Sequence, residues 1–192
     1  MRSRTRAIIA LGGSLLLAAC GHSPPTQLFV LNVQNPAVRT AYAGPPIQVR
    51  SLHLPPQFDR PEIVSDAASG QLKARAFAHW AAPVGELAQS TLTGDLSARL
   101  PDGKVIYPDA PAPSGAVLVS VDILDARIAG GAGVAQASWS ITTPASNPKL
   151  PSTVVTHTAS LSVDGRGAGP AGDADALGRL LGVLADRMVA KL

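Results

Sequence analysis

The chain has 192 residues, 46% of them apolar, with 16 Lys and Arg against 13 Asp and Glu and a single cysteine, Cys20. One thiol excludes an internal disulfide, and four scattered histidines without a second cysteine exclude a Cys/His cluster at zinc spacing. The formal charge of +3 comes from Arg2, Arg4 and Arg6; the rest balances 13 bases against 13 acids, which leaves no basic stripe for phosphates and no expected nucleic-acid partner.

Taken from the start, the three arginines precede an almost uninterrupted apolar run, Ala7 to Ala18, that ends in small residues. This is the layout of a secretory signal, and the run is well short of the ~20 residues that a spanning helix needs. Leu17-Ala18-Ala19-Cys20 resembles the lipobox of bacterial lipoproteins. That resemblance implies cleavage before Cys20, so that residues 1–19 are a signal peptide and Cys20 is the lipidation site that joins the chain to a membrane through acyl chains. Stable anchoring takes two or more such chains. Gly21 follows, and where lipoproteins are sorted by that position a residue other than Asp implies the outer membrane, on its periplasmic face. Residues 20–26 read as a lipidated tether spanning at most roughly 20 Å at ~3.3 Å per residue.

Residues 27–192 have the size of one domain. Strands are expected at Gln27 to Val33, Ile47 to Leu54, Glu62 to Asp66 and Leu72 to His79. A helical period follows Pro83, with Val84, Leu87, Thr91, Leu92, Leu96 and Leu100 on one face. Apolar residues then recur at every second position from Val117 to Ile123 and, with His157 among them, from Val155 to Val163, with β-rich sequence between them at Val134 to Thr142. The glycine cluster Ala129 to Gly133 suits a hairpin. A second helical stripe, Leu177, Leu180, Leu181, Leu184 and Met188, follows Asp173. Both stripes need cover, which predicts an α+β fold: a twisted, mainly antiparallel sheet with two amphipathic helices packed on one face.

Three pieces carry a more specific resemblance: Val49-Arg50-Ser51-Leu52-His53-Leu54-Pro55, then Phe58-Asp59-Arg60-Pro61-Glu62-Ile63-Val64, then His79-Trp80-Ala81-Ala82-Pro83-Val84. In this order behind a lipobox, the chain resembles the ABC-type transport auxiliary lipoproteins, the PqiC/YmbA-like group. It departs from the group's pattern where Gln27 to Leu31 replaces a Tyr-x-Leu and where Asp59 follows Phe58 without an intervening Leu. The resemblance implies a non-catalytic partner, without cofactor or metal, of an MCE-type lipid transport system, meeting the MCE-domain protein at the outer membrane. It leaves a homo-oligomer open. Two other functions stay in view: a lipoprotein that regulates a periplasmic cell-wall synthase, and a carrier domain that binds lipid itself.

Catalytic readings find little support. Gly167-Ala168-Gly169-Pro170-Ala171-Gly172 fits G-x-G-x-x-G between a strand and a helix, but that helix runs to the last residue and leaves no second parallel strand for a nucleotide fold. A flexible turn is expected instead. Ser51, His53 and Asp59 could be drawn as a triad, but no G-x-S-x-G elbow accompanies them. His157, on the apolar side of its strand, is expected to be a hydrogen-bonded core histidine. For Phe58, Asp59, Arg60 and Pro61 two readings compete: a loop whose aromatic packs into the core, or an exposed edge that docks the transport partner.

Overall fold

The structure is a computed structural model that describes residues 24–36, 38–66, 70–145, 147 and 149–192. Cys20 and the signal-peptide boundary lie outside the described residues. Among those described, no helix is long and apolar enough to cross a membrane.

The alternating segments form three long strands, β6 (Val117–Ala129), β7 (Ala132–Thr143) and β8 (Thr153–Val163), paired antiparallel in sequence order. Their inward residues, Val117, Val119, Val121, Ala135, Ala137, Trp139 and Leu161, are buried, while the intervening Ser, Thr and Gln face outward. Gly130 and Gly131 alone connect β6 to β7, with φ of 58° and 74°. Positive φ at both central positions defines the turn whose twist suits a two-residue hairpin.

Strand β2 (Ile47–His53) adds to the other side of β6, in parallel, and carries the two-residue β5 (Val105–Ile106) on its outer edge, also in parallel. The sheet order is therefore β5-β2-β6-β7-β8. A second sheet of three strands has the order β1-β4-β3, from Gln27–Phe29, Leu72–Trp80 and Glu62–Asp66. The α+β class is as the periodicity predicts, but the strands divide into two mixed sheets. Short connections argue for antiparallel neighbours only where strands are consecutive, whereas β2 reaches β6 by a crossover that carries a whole helix.

Both helices pack on each other and on the five-stranded sheet. Helix α1 (Val84–Arg99) buries Val84, Ala88, Thr91, Leu92, Asp95, Leu96 and Arg99, a stripe at helical spacing. Helix α2 (Gly169–Val189) starts four residues before Asp173, because Pro170 falls at its first turn where a missing N–H costs nothing. The preceding glycines are not slack. A Cβ on Gly172 would meet the carbonyl carbon of Gly167 at 2.9 Å, so the loop closes tightly on the helix start.

The first strand also ends early. Periodicity extends it to Val33, but β1 stops at Phe29 and the chain then runs across the two helices. Leu31 O accepts from Thr91 Oγ1, Gln34 N–H donates to Asp95, and Gln34 O accepts from Arg99. Small residues make this passage fit: a Cβ on Gly94 or Gly182 would lie 2.6 Å from Val33 or 2.8 Å from Gln34.

Candidate functional site

The segment from Leu52 to Pro61 is shaped by its prolines. Pro55 and Pro56 fix φ and start a single 3-10 turn, Pro56–Phe58, closed by Phe58 N–H to Pro55 O at 2.9 Å and Asp59 N–H to Pro56 O at 3.0 Å. The chain then doubles back, and Pro61 O accepts from Trp80 N–H at 2.7 Å, at the end of β4. Three residues later Pro83 caps α1, its carbonyl accepting from Glu86 and Leu87. Three separate stretches are thereby brought to one place.

Between them lies an open cleft of about 870 Å³. Its walls are apolar, from Leu52, Leu54, Pro55, Phe58, Trp80 and Val84, and its rim carries His53, Asp59, Arg60, Glu86 and Gln89. Phe58, Trp80 and Val84 are 3%, 6% and 5% exposed, so these walls are continuous with the core. The rim charges are outside it: Arg60 and Asp59 are exposed, and the Arg60 guanidinium sits 3.7 Å from Glu62. The Trp80 indole N–H is buried and has no acceptor among the described residues.

Of the four residues singled out at this segment, Asp59, Arg60 and Pro61 are exposed at the cleft and Phe58 is not. Of the two readings of this segment, Phe58 follows the packing one, its ring buried in the core beneath the turn, which corrects its assignment as an exposed partner contact. The sequence did not single out Glu86 and Gln89 for this site; their signal was only that they open the helix after the Trp80 to Pro83 segment. Gln89 is held by donating to Val49 O at 2.9 Å.

The drawn triad is not assembled. His53 Nδ1 lies 3.0 Å from Asp122, the residue opposite it on β6, rather than from Asp59, and both partners are largely exposed. His157 is half-buried on β8, with its ring 5.4 Å from that of Trp139, and no hydrogen bond of its ring occurs among the described residues. The expected hydrogen-bonded core histidine is thus an edge-strand histidine whose ring lies tilted by 35° against a core indole. No group of three or more His, Cys, Asp or Glu is arranged to hold a metal ion among the described residues.

A second polar cluster joins the helices away from the cleft. Arg99, 4% exposed, donates to Asp186 Oδ1 at 2.6 Å, to Gln34 O at 2.8 Å, to Asp95 O at 2.9 Å and to Gly182 O at 3.0 Å. Asp95 is fully buried, and burial pushes its carboxyl up to about 7 despite the Gln34 N–H and Arg99. With four hydrogen bonds from one guanidinium to α1, α2 and the chain at Gln34, this cluster is a structural clamp.

Residues 29–189 match the family model described as ABC-type transport auxiliary lipoprotein component. No curated protein matches. Among solved structures, one described as an uncharacterized protein superposes with a TM-score of 0.65 at 14% identity, covering 88% of this chain and 99% of that one. Protein XCC0632 from Xanthomonas campestris superposes with a TM-score of 0.55 at 16% identity, covering 85% and 92%. At such identities the likeness concerns the fold.

Proposed function

The chain belongs to the ABC-type transport auxiliary lipoprotein components, and from that membership we propose that it is the non-catalytic docking component of an MCE-type lipid transport system. In this reading acyl chains on Cys20 hold it at the periplasmic face of the outer membrane, and its folded domain engages the MCE-domain protein. Anchoring suits a docking domain, because confinement to a surface raises the effective concentration of one partner for the other.

The observation that carries the proposal is the cleft. It is built from the three stretches that resemble the family, and it joins an apolar wall to a rim of exposed charges of both signs. Protein contacts have this anatomy, a desolvated centre inside a polar rim. The test is crosslinking in intact cells, followed by affinity purification of the tagged chain and mass spectrometry of its partners. Recovery of an MCE-domain protein with its permease and ATPase supports the docking role. Recovery of a cell-wall synthase without them would sink it, and so would lipid extracted with the domain in stoichiometric amount and no protein partner.

A further inference from the structure

The five-stranded sheet ends on β8, and the outer edge of β8 has no strand beside it among the described residues. That edge runs for eleven residues, Thr153–Val163, without a Lys, Arg, Asp, Glu or Pro. Its register with β7 is unbroken from Thr143 opposite Thr153 to Gly133 opposite Val163, so no bulge turns the edge away. Sheet edges left open to solvent are usually blunted by charge, proline, a bulge or short length. The opposite edge follows that rule, since β5 has two residues. β8 does not, and it leaves Val154 and Val155 59% and 47% exposed.

We propose that a second copy of the chain adds at this edge, β8 against β8 in antiparallel pairing about a two-fold axis at Thr158. The strand fits itself. The register that leaves none of its residues unpaired sets Thr158 opposite its own copy and brings Val155 opposite Leu161, His157 opposite Ala159 and Thr156 opposite Ser160. Inward residues then meet inward residues, as a sheet with one covered face requires. Val155 comes to lie against Leu161, a side chain that is 3% exposed in the single chain, so the second copy extends existing core over an exposed valine. An uncharged strand meets no repulsion from its copy, whereas a charged partner segment would find nothing on it to pair with. Two symmetry-related patches of this kind form a closed, isologous contact. The five-stranded sheets become one continuous sheet. This inference does not rest on the transport reading.

The full-length chain tests it in cells. With Thr158→Cys, the two introduced cysteines face each other with Cα atoms about 4.5–5.5 Å apart, within the ~4.4–6.8 Å that a disulfide spans, so they can bond under mild oxidation. With Ser160→Cys, each thiol is displaced from its own copy by four residues, about 13 Å at ~3.3 Å per residue, and cannot bond. We expect a covalent dimer from Thr158→Cys at several times the yield of Ser160→Cys or of the chain whose only thiol is Cys20. Thr158→Lys, an exposed change that places two ammonium groups face to face, should shift the detergent-solubilised chain to monomer by light scattering while circular dichroism stays unchanged. A monomer at every concentration, equal crosslinking at positions 158 and 160, or a crosslink from Thr158→Cys only to another protein would each overturn the proposal.

Discussion

Arg99 and Asp95 show what one side chain can decide in this molecule. Arg99 bonds to both helices and to the amino-terminal segment at Gln34, and it lies 2.6 Å from the Asp186 carboxylate and 3.8 Å from the Asp95 carboxyl. Replacing it with Met leaves Asp95 buried without its cation, and breaking a buried pair from one side costs about 3–5 kcal/mol. Urea unfolding of Arg99→Met should show a loss of that size. Asp95 makes stability depend on pH. Its carboxyl titrates at about 7 in the folded chain, against ~3.9 when unfolded. Between those values the folded chain holds a proton that the unfolded chain has released, so the contribution of Asp95 to stability is greatest at acid pH and is lost as pH rises through about 7. Asp95→Asn keeps an acceptor for Gln34 N–H and removes the titration. Its stability relative to the native chain should therefore rise between about pH 4 and pH 7.5, measured as the difference in urea midpoints. An unchanged difference across that range would remove Asp95 from the account. The sequence contained both residues at stripe spacing, Thr91, Asp95 and Arg99 lying on the face of Leu92 and Leu96, but periodicity reads polarity as exposure. Only the segment at Gln34 that covers them makes burial of the pair tolerable.

At the level of elements, the turn at Gly130 and Gly131 fixes where the sheet meets α2. Asp173 accepts from Gly131 N–H at 3.2 Å and pairs with Arg75 at 3.4 Å, while Arg179 donates to Gly131 O at 2.7 Å. A Cβ on Gly131 would lie 2.5 Å from Gly167 O. Gly103 has a similar φ of 76° but open space around it. Gly131→Ala should therefore cost clearly more than Gly103→Ala, which bears only the ~1 kcal/mol of the left-handed backbone. Equal losses in thermal unfolding would mean that backbone conformation alone matters at both sites. Long elements were legible because alternation over β6 and β8 and the stripes of α1 and α2 repeat often enough to be read. β5 is too short to have a period. Parallel insertion of β2 beside β6 was not readable either, because a period of two says that a strand has one buried face and nothing about its neighbours. A bulge between Val49 and Ser51 shifts that face, so that Ile47, Val49 and then Leu52 point inward.

For the whole molecule, the candidate site was half legible. The stretch Phe58 to Pro61 could be singled out by its composition, but its convergence with His53 and Glu86 depends on two sheets meeting at the start of α1. If the cleft docks the transport partner, exchanging the rim charges with Arg60→Glu and Glu86→Lys together should reduce partner recovery severalfold and leave the thermal midpoint within ~2 °C, since exposed substitutions usually stay within ±0.5 kcal/mol. A large fall in the midpoint would assign both residues to folding. The position of β2 has a further consequence, for the order in which the chain can fold. Both its sheet neighbours lie downstream, at Val105–Ile106 and Val117–Ala129. β1 likewise waits for β4, and the segment at Gln34 is gripped by Arg99, which is itself held by Asp186. A chain that emerges amino terminus first therefore presents Ile47, Val49 and Leu52 with nothing to pair against until more than half of it has appeared. The β6, β7 and β8 meander, made of near neighbours in sequence, is the part able to form promptly, and the oldest segment of the nascent chain is the last to find its place.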